Sequence, residues 1–417
     1  LEFQQLNKEV LPHLFRQEYA KMTAVLCRHF GLSNIEIAED IASETFLKAS
    51  ENWAVNGIPE NPTGWLYRVA KNKLKDYFKH ASVIEKQFEK EKAFREDQQE
   101  PDFEFDNENI EDSQLAMIFA VCNPSNSTES QICLALQILC GFSLEEIANA
   151  FLIKTETVKK RLLRARNVLR KEHFKIERLS KTQIGLRLDT VLRTLYLMFN
   201  EGYYSTTKDQ IIRTDLCTEA LRLTLLLTGN ELTKTGKTCA LLALMCYQGS
   251  RLEARINENG EAILYEEQDR SLWDEGLIEK GNYYLIGACK GGEISKYHLE
   301  AGIAYWHTTP TDHDKWRHVL KLYDQLLTWD SSPMIALNRL FAFAKVHGHK
   351  KALAEAVKNC SIQNSYYYEL LGYLHGEEDI ENAVYNYRKA LGLIKSNKRK
   401  NTLLKEITRL SQMLTNS

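Results

Sequence analysis

An all-α fold is predicted by three observations. Apolar residues recur at a period near 3.6 over long stretches, only seven Pro interrupt 417 residues, and alternating strand-like segments are nearly absent. With 44% hydrophobic residues the chain can bury more than one core, and roughly 100 to 200 residues per domain implies about two to four domains. No apolar run approaches the roughly 18 to 20 residues that span a bilayer, and Glu2, Glu9 and Glu18 do not suit a leader peptide, so a cytoplasmic protein without a membrane part is expected. The nine Cys are scattered, with no C-x-x-C pair and no His placed to complete a site. They read as small, reduced core residues, Cys133, Cys140 and Cys246 among them, and neither a metal nor a cofactor is expected.

Residues 1–82 form a first helical unit, with helices expected at Leu6–Phe30, Asn34–Asn52 and Pro62–Ala81. Ser33 or Asn34 can cap the second, and Asn61-Pro62 starts the third. In the third, Trp65, Tyr67, Tyr77 and Phe78 offer flat faces for unstacked bases, while Arg68, Lys71, Lys73, Lys75 and Lys79 can follow a phosphate backbone, with Asn72 among them. Trp65, Leu66 and Val69 also fit the core face of an amphipathic helix. Residues 83–112 read as an acidic tether: Glu85 to Asp112 holds twelve acidic and four basic residues.

Residues 113–178 hold a helix-turn-helix. Ile147, Ala148 and Phe151 lie on one face of a first helix, and Val158, Leu162 and Leu163 resume the pattern on a second. From Lys154 to Arg178 there are ten Lys or Arg against three Glu, in a chain of net charge −2. This basicity is local, the footprint of a groove-binding helix. Thr155, Thr157, Lys159, Lys160, Arg161 and Arg164 are the candidate duplex-reading residues, with Arg166 also on the basic arc.

Residues 179–417 form a long helical array. Ala254 to Tyr265 would suit a small hairpin around Asn259-Gly260. Tyr366 to Leu393 resembles one tetratricopeptide unit, Leu371-Gly372 allowing close approach and Ala383, Tyr387 and Ala390 packing the second helix. Met334–Val346 and Lys350–Asn359 fit the same plan loosely.

Two units joined by an acidic tether, the second ending in a helix-turn-helix, resemble the sigma-70 family in its extracytoplasmic-function branch. Ile37 to Ala49 looks like the region 2 helix that docks on the largest subunit of RNA polymerase. The resemblance implies that Glu39, Asp40 and Glu44 face basic partner residues while Ile41, Phe46 and Leu47 give apolar contact. Asn61 to His80 looks like the segment for the melted −10 element, which would give Trp65, Tyr67, Arg68, Lys71, Asn72, Lys73, Lys75 and Tyr77 that role. The helix-turn-helix would read the −35 element. The segments MFNEGYYS, RTDLCTEALRL and YHLEAGIAYWH resemble the group that carries a tetratricopeptide-like extension. Phe119 to Ser125 departs from that group's Cys-Cys-His-Pro run, keeping only Cys122 and Pro124.

The resemblance implies core RNA polymerase and promoter DNA as partners, and a protein or an intramolecular partner for the extension. The cluster Arg251, Arg255, Glu267, Gln268, Asp269, Arg270 and Asp274, beside Trp273, reads first as an ion-pair network and second as a ligand pocket. With no phosphate loop, activated nucleophile or metal spacing, no enzyme is expected. His298, His307, His313 and His318 fall at irregular spacings and read as ordinary residues. The rival reading is a helix-turn-helix regulator whose C-terminal domain senses a ligand or protein partner. An enzyme with a regulatory front end ranks below it.

Overall fold

A computed structural model of the chain describes residues 2–30, 34–88, 107–151, 153–171, 180–203, 213–257, 263, 265–309, 314–359, 364–376, 378–394 and 397–416. Among them every extended element is a helix, and they divide into two compact units, Leu1–Thr194 and Leu195–Ser417.

In unit 1, α1 (Glu2–Phe30), α2 (Ile35–Asn56) and α3 (Pro62–Phe88) pack on one another. Helix α2 buries Ile35, Ala38, Ala42, Phe46, Ala49 and Trp53, a three-and-four spacing that makes one apolar stripe. It stops at Gly57, whose φ of +79° suits the residue without a Cβ. Helix α3 starts where Asn61 Oδ1 accepts the Gly64 N–H at 2.8 Å, with Pro62 in the first turn. It runs to Phe88, past the expected end at Ala81, and α4 (Asn107–Val121) begins before residue 113. Both ends of the expected tether are therefore helical. The middle of that segment, 89–106, lies outside the described residues.

Ser127 Oγ caps α5 (Thr128–Leu134) by accepting the Ser130 N–H at 3.4 Å. The helix continues through a π turn, Ala135–Leu139, whose Ala135, Leu136, Ile138 and Leu139 are buried. A capping box opens α6 (Leu144–Phe151): Ser143 Oγ accepts the Glu146 N–H at 3.2 Å, and Glu146 Oε2 accepts the Ser143 N–H at 2.7 Å. Helix α7 (Thr155–Lys171) follows the turn. The division between units falls inside α8 (Lys181–Tyr203), after Thr194, whose hydroxyl donates to Gln131 Oε1 on α5 at 2.6 Å.

Unit 2 continues from α8 through α9 (Thr214–Thr228), α10 (Gly236–Gly249), α11 (Glu275–Cys289), α12 (Lys296–Thr308), α13 (Lys315–Trp329), α14 (Pro333–His347), α15 (His349–Asn359), α16 (Ser365–His375), α17 (Ile380–Leu393) and α18 (Asn397–Asn416). Each helix packs mainly on its sequence neighbours, with small residues at the closest approaches. A Cβ on Gly372 would lie 2.6 Å from the Tyr387 ring, so α16 and α17 approach closely at these two residues. Gly281 on α11 plays the same part against Tyr247 on α10, at 2.7 Å. Asn259-Gly260 lies outside the described residues, though Ile263 N–H donates to the Arg255 carbonyl at 2.9 Å across that segment. Seven of the eight described Cys are buried and all are free thiols; Cys289 is exposed. No helix among the described residues is long and apolar enough to cross a membrane.

Candidate nucleic-acid interface

Helix α7 turns Val158, Leu162, Ala165 and Leu169 inward, at successive spacings of four, three and four. That stripe sets the opposite arc free. Thr155, Thr157, Lys159, Lys160 and Arg164 are exposed, and Arg161 is half-buried with its guanidinium 3.9 Å from Cys133 Sγ. Lys160 and Glu156 stand 3.9 Å apart, both exposed, a pairing worth little in water. Leu163, expected on the core face, is 57% exposed and lies among the cations, because the inward stripe passes through Leu162 alone at that level.

Arg166 is the exception on the basic arc. Its neighbours in the stripe are Leu162 and Leu169, so it borders the buried face and turns inward. Its two terminal nitrogens donate to Glu39 at 2.8 and 2.7 Å, and one also reaches Gln137 Oε1 at 2.9 Å. Arg170 pairs with Glu36, and Arg166 lies 3.5 Å from the same carboxylate. Burial works against the charge on each partner, but mutual attraction wins: the Glu36 carboxyl is held below its ordinary value and the Arg166 guanidinium above its own. Two arginines of the basic helix are thus fastened to two carboxylates of α2 within unit 1.

This places the candidate docking residues on two faces of α2. Glu39 is engaged by Arg166, while Ile41 and Phe46 are 6% and 5% exposed and belong to the core, Phe46 against the ring of Phe15 at 5.0 Å. Asp40 and Glu44 are exposed, and Leu47 joins them at 59% exposure. Residues 40, 44, 47 and 51 form one outward stripe of Asp, Glu, Leu and Glu.

On α3, Leu66, Val69, Ala70 and Leu74 face inward, the amphipathic part of the expectation. Tyr67 goes with them: its hydroxyl donates to Glu18 Oε2 at 2.7 Å, and burial beside that carboxylate pushes its pKa far up. It is therefore no exposed stacking platform, a feature that the local sequence could not signal because Glu18 lies on α1. Trp65 is half-buried, edge-on to Trp53 at 5.4 Å. Tyr77 is 38% exposed and backed by Phe30 and Phe78. Lys73 is paired with Glu44 at 2.5 Å, which joins the docking helix to the cationic one. Arg68 and Asn72 are exposed and Lys71 and Lys75 half-buried, and none of the three cations has an ion-pair partner among the described residues.

The polar cluster of unit 2 differs from the expected ion-pair network. Asp274 caps α11 by accepting the Leu277 N–H at 2.9 Å, and Asp269 accepts from the backbone and hydroxyl of Ser271. In this loop the two carboxylates serve backbone N–H groups. Arg255 lies over Tyr203 at 3.7 Å, and Arg251 over Tyr265 and Trp273. His298 joins Ser295 to the Ala288 carbonyl and His318 stacks on Trp306, both structural, while His313 lies outside the described residues.

Residues 14–83 match sigma-70 region 2, and residues 187–289 match a family of unknown function (DUF6596). The first match covers the latter part of α1 through most of α3; the second runs from within α8 to the end of α11. Over 333 residues, 79% of this chain and 78% of the other, the sequence is 31% identical to "Uncharacterized protein R00370" of Rhizobium meliloti (strain 1021). No solved structure matches.

Proposed function

Because this chain belongs to one family with the Rhizobium meliloti protein and carries a sigma-70 region 2, we propose that it is a sigma factor that directs RNA polymerase to specific promoters. The observation that carries the proposal is the region 2 match itself, which falls on the helices bearing the acidic outward stripe and the cations Arg68, Lys71 and Lys75. Region 2 implies binding to core RNA polymerase.

The finer roles follow the exposed residues. Asp40, Glu44 and Leu47 meet a basic, partly apolar surface of polymerase, where charge sets orientation and rate of encounter. Arg68, Lys71, Asn72 and Lys75, with Trp65 and Tyr77 beside them, hold the melted −10 strand through phosphate contact and stacking. Thr155, Thr157, Lys159, Lys160, Arg161 and Arg164 address the −35 duplex, and exposed Leu163 can touch a thymine methyl. The protein is of the extracytoplasmic-function branch, and unit 2 is its regulatory extension. Arg166 and Arg170 hold α7 against α2, so full engagement of polymerase and of a −35 duplex requires their carboxylate partners to let go.

Co-purification of core polymerase with the full chain and with Asp40→Lys tests the docking role. The wild type should retain polymerase and the variant should lose most of it, because reversing an exposed charge acts on partners and not on the fold. Equal recovery by both would remove Asp40 from the interface, and recovery by neither would remove the polymerase partner.

A further inference from the structure

We propose that unit 2 contains a binding site for a small organic oxyanion, a carboxylate or phosphate on an apolar body, assembled around Tyr265 by Arg251, Lys315, Trp273 and His307. It concerns unit 2 alone and stands whether or not the sigma reading does.

Two cations converge on one ring without a counter-charge among the described residues. The Arg251 guanidinium carbon lies 4.8 Å and the Lys315 ammonium 5.0 Å from the Tyr265 ring centroid. Lys315 is only 7% exposed, and its hydrogen bond goes to a neutral acceptor, the Tyr265 phenol oxygen at 2.8 Å, which in turn donates to the His307 carbonyl at 2.6 Å. Arg251 donates from Nε to Gln268 Oε1 at 3.2 Å. Among the described residues no carboxylate stands within ion-pair distance of either cation. Of the described carboxylates nearby in sequence, Asp274 and Asp269 are engaged on backbone N–H groups, Glu266 on Lys345 at 2.7 Å and Asp314 on Arg317 at 3.1 Å. A ring face returns only part of what desolvating a cation loses, so this pair is incomplete as it stands.

A second observation points the same way. Among the described residues of unit 2, the buried side-chain polar atoms without a hydrogen-bond partner are Gln248 Oε1, Trp273 Nε1 and His307 Nδ1. Two of them sit on the cluster. Trp273 is 8% exposed, its ring 5.5 Å from the Arg251 guanidinium and 6.4 Å from the Tyr265 ring. The His307 ring is 4.8 Å from that of Tyr265. Gln248 lies on the last turn of α10, three residues before Arg251.

The chemistry of these groups selects the ligand. A guanidinium, an ammonium and an indole N–H are all donors, so what completes them is an acceptor with negative charge. Burial, then Lys315 and Arg251, push His307 down to about 3, so it stays a neutral imidazole, able to offer a ring N–H. Tyr265, Trp273 and Trp316 supply aromatic walls, which suit an apolar body behind the charged head. Arg251 and Tyr265 are half-buried, which leaves the cluster open to solvent on their side.

Calorimetric titration of the full chain with benzoate, succinate and inorganic phosphate, at fixed ionic strength in chloride, tests the site and identifies the head group. At least one probe should bind saturably, and Lys315→Met and Arg251→Leu should each weaken that probe by about tenfold or more. Without ligand, Lys315→Met should melt at the wild-type temperature or above it, since it removes an unpaired buried charge at nearly constant bulk. The proposal is overturned by wild-type protein that binds none of the probes up to about 20 mM. It is equally overturned by binding that both substitutions leave unchanged, or by an unliganded Lys315→Met protein that melts clearly below the wild type, which would make the cluster a prop of the fold.

Discussion

Arg166 carries the most consequential side chain of unit 1. In the sequence it looks like one more cation of a DNA-facing helix; in the fold it is 11% exposed and forked onto Glu39, itself 16% exposed. Removing one partner of such a pair leaves the other charge desolvated, so Arg166→Ala should lower stability by up to about 3 kcal/mol, read from urea unfolding of the full chain. Because the Glu36 pKa is depressed in the fold, the stability from its pairing is present above the unfolded carboxyl value and is lost as pH falls through the lower folded value. Glu300 has the opposite sign. Burial raises it to about 7, against Lys296 and the Tyr196 hydroxyl at 3.0 Å, with Asp330 adding to the rise; Tyr323 also lies in its field. Its folded form prefers the proton, so stability falls as pH rises from the unfolded value to about 7. Glu300→Gln should therefore gain melting temperature over the wild type as pH is raised from about 5 to 8, and a difference independent of pH would refute the buried acid. On the DNA side, Arg164→Ala should cost about 1 to 3 kcal/mol at one −35 base pair if it contacts a base, or weaken all promoters alike if it contacts phosphate; promoter variants assayed side by side distinguish the two.

At the scale of elements, periodicity carried most of the information. Helices α2, α3, α6 and α7 lie close to where the apolar spacing, and for α3 the start at Asn61-Pro62, put them. Gly372 was legible as a close approach from the Leu371-Gly372 pair of the tetratricopeptide-like pattern, and it meets Tyr387. What stayed hidden was every feature that depends on a distant partner. Tyr67 looks like an aromatic platform until Glu18 takes its hydroxyl, and Glu39 looks like a docking carboxylate until Arg166 reaches it from 127 residues away. The carboxylates near Arg251 looked like ion-pair partners because a sequence does not show which backbone N–H groups a loop leaves open. The close approaches give a direct test: Gly372→Ala would place a Cβ 2.6 Å from the Tyr387 ring, and overpacking of that kind costs roughly 1 to 3 kcal/mol. Unfolding of the variant should show that loss, with polymerase binding unchanged; wild-type stability would mean that α16 and α17 tolerate a wider spacing.

For the molecule as a whole, unit 1 joins a sigma-70 region 2 to a helix-turn-helix whose basic helix is latched onto region 2's own acidic helix. On the proposed reading, releasing that latch frees Glu36 and Glu39 on α2, in addition to the outward stripe of Asp40, Glu44 and Leu47 proposed to meet polymerase. Arg166→Ala should accordingly bind core polymerase more tightly than the wild type even as it loses stability. Run-off transcription decides the matter: the full chain and purified core polymerase of its host, on a promoter from its own genome, with core polymerase alone as control. The account predicts a discrete transcript that depends on the added protein and is lost on Lys71→Glu with Lys75→Glu. No transcript beyond that of core polymerase, from a protein that also fails to bind it, would contradict the sigma assignment.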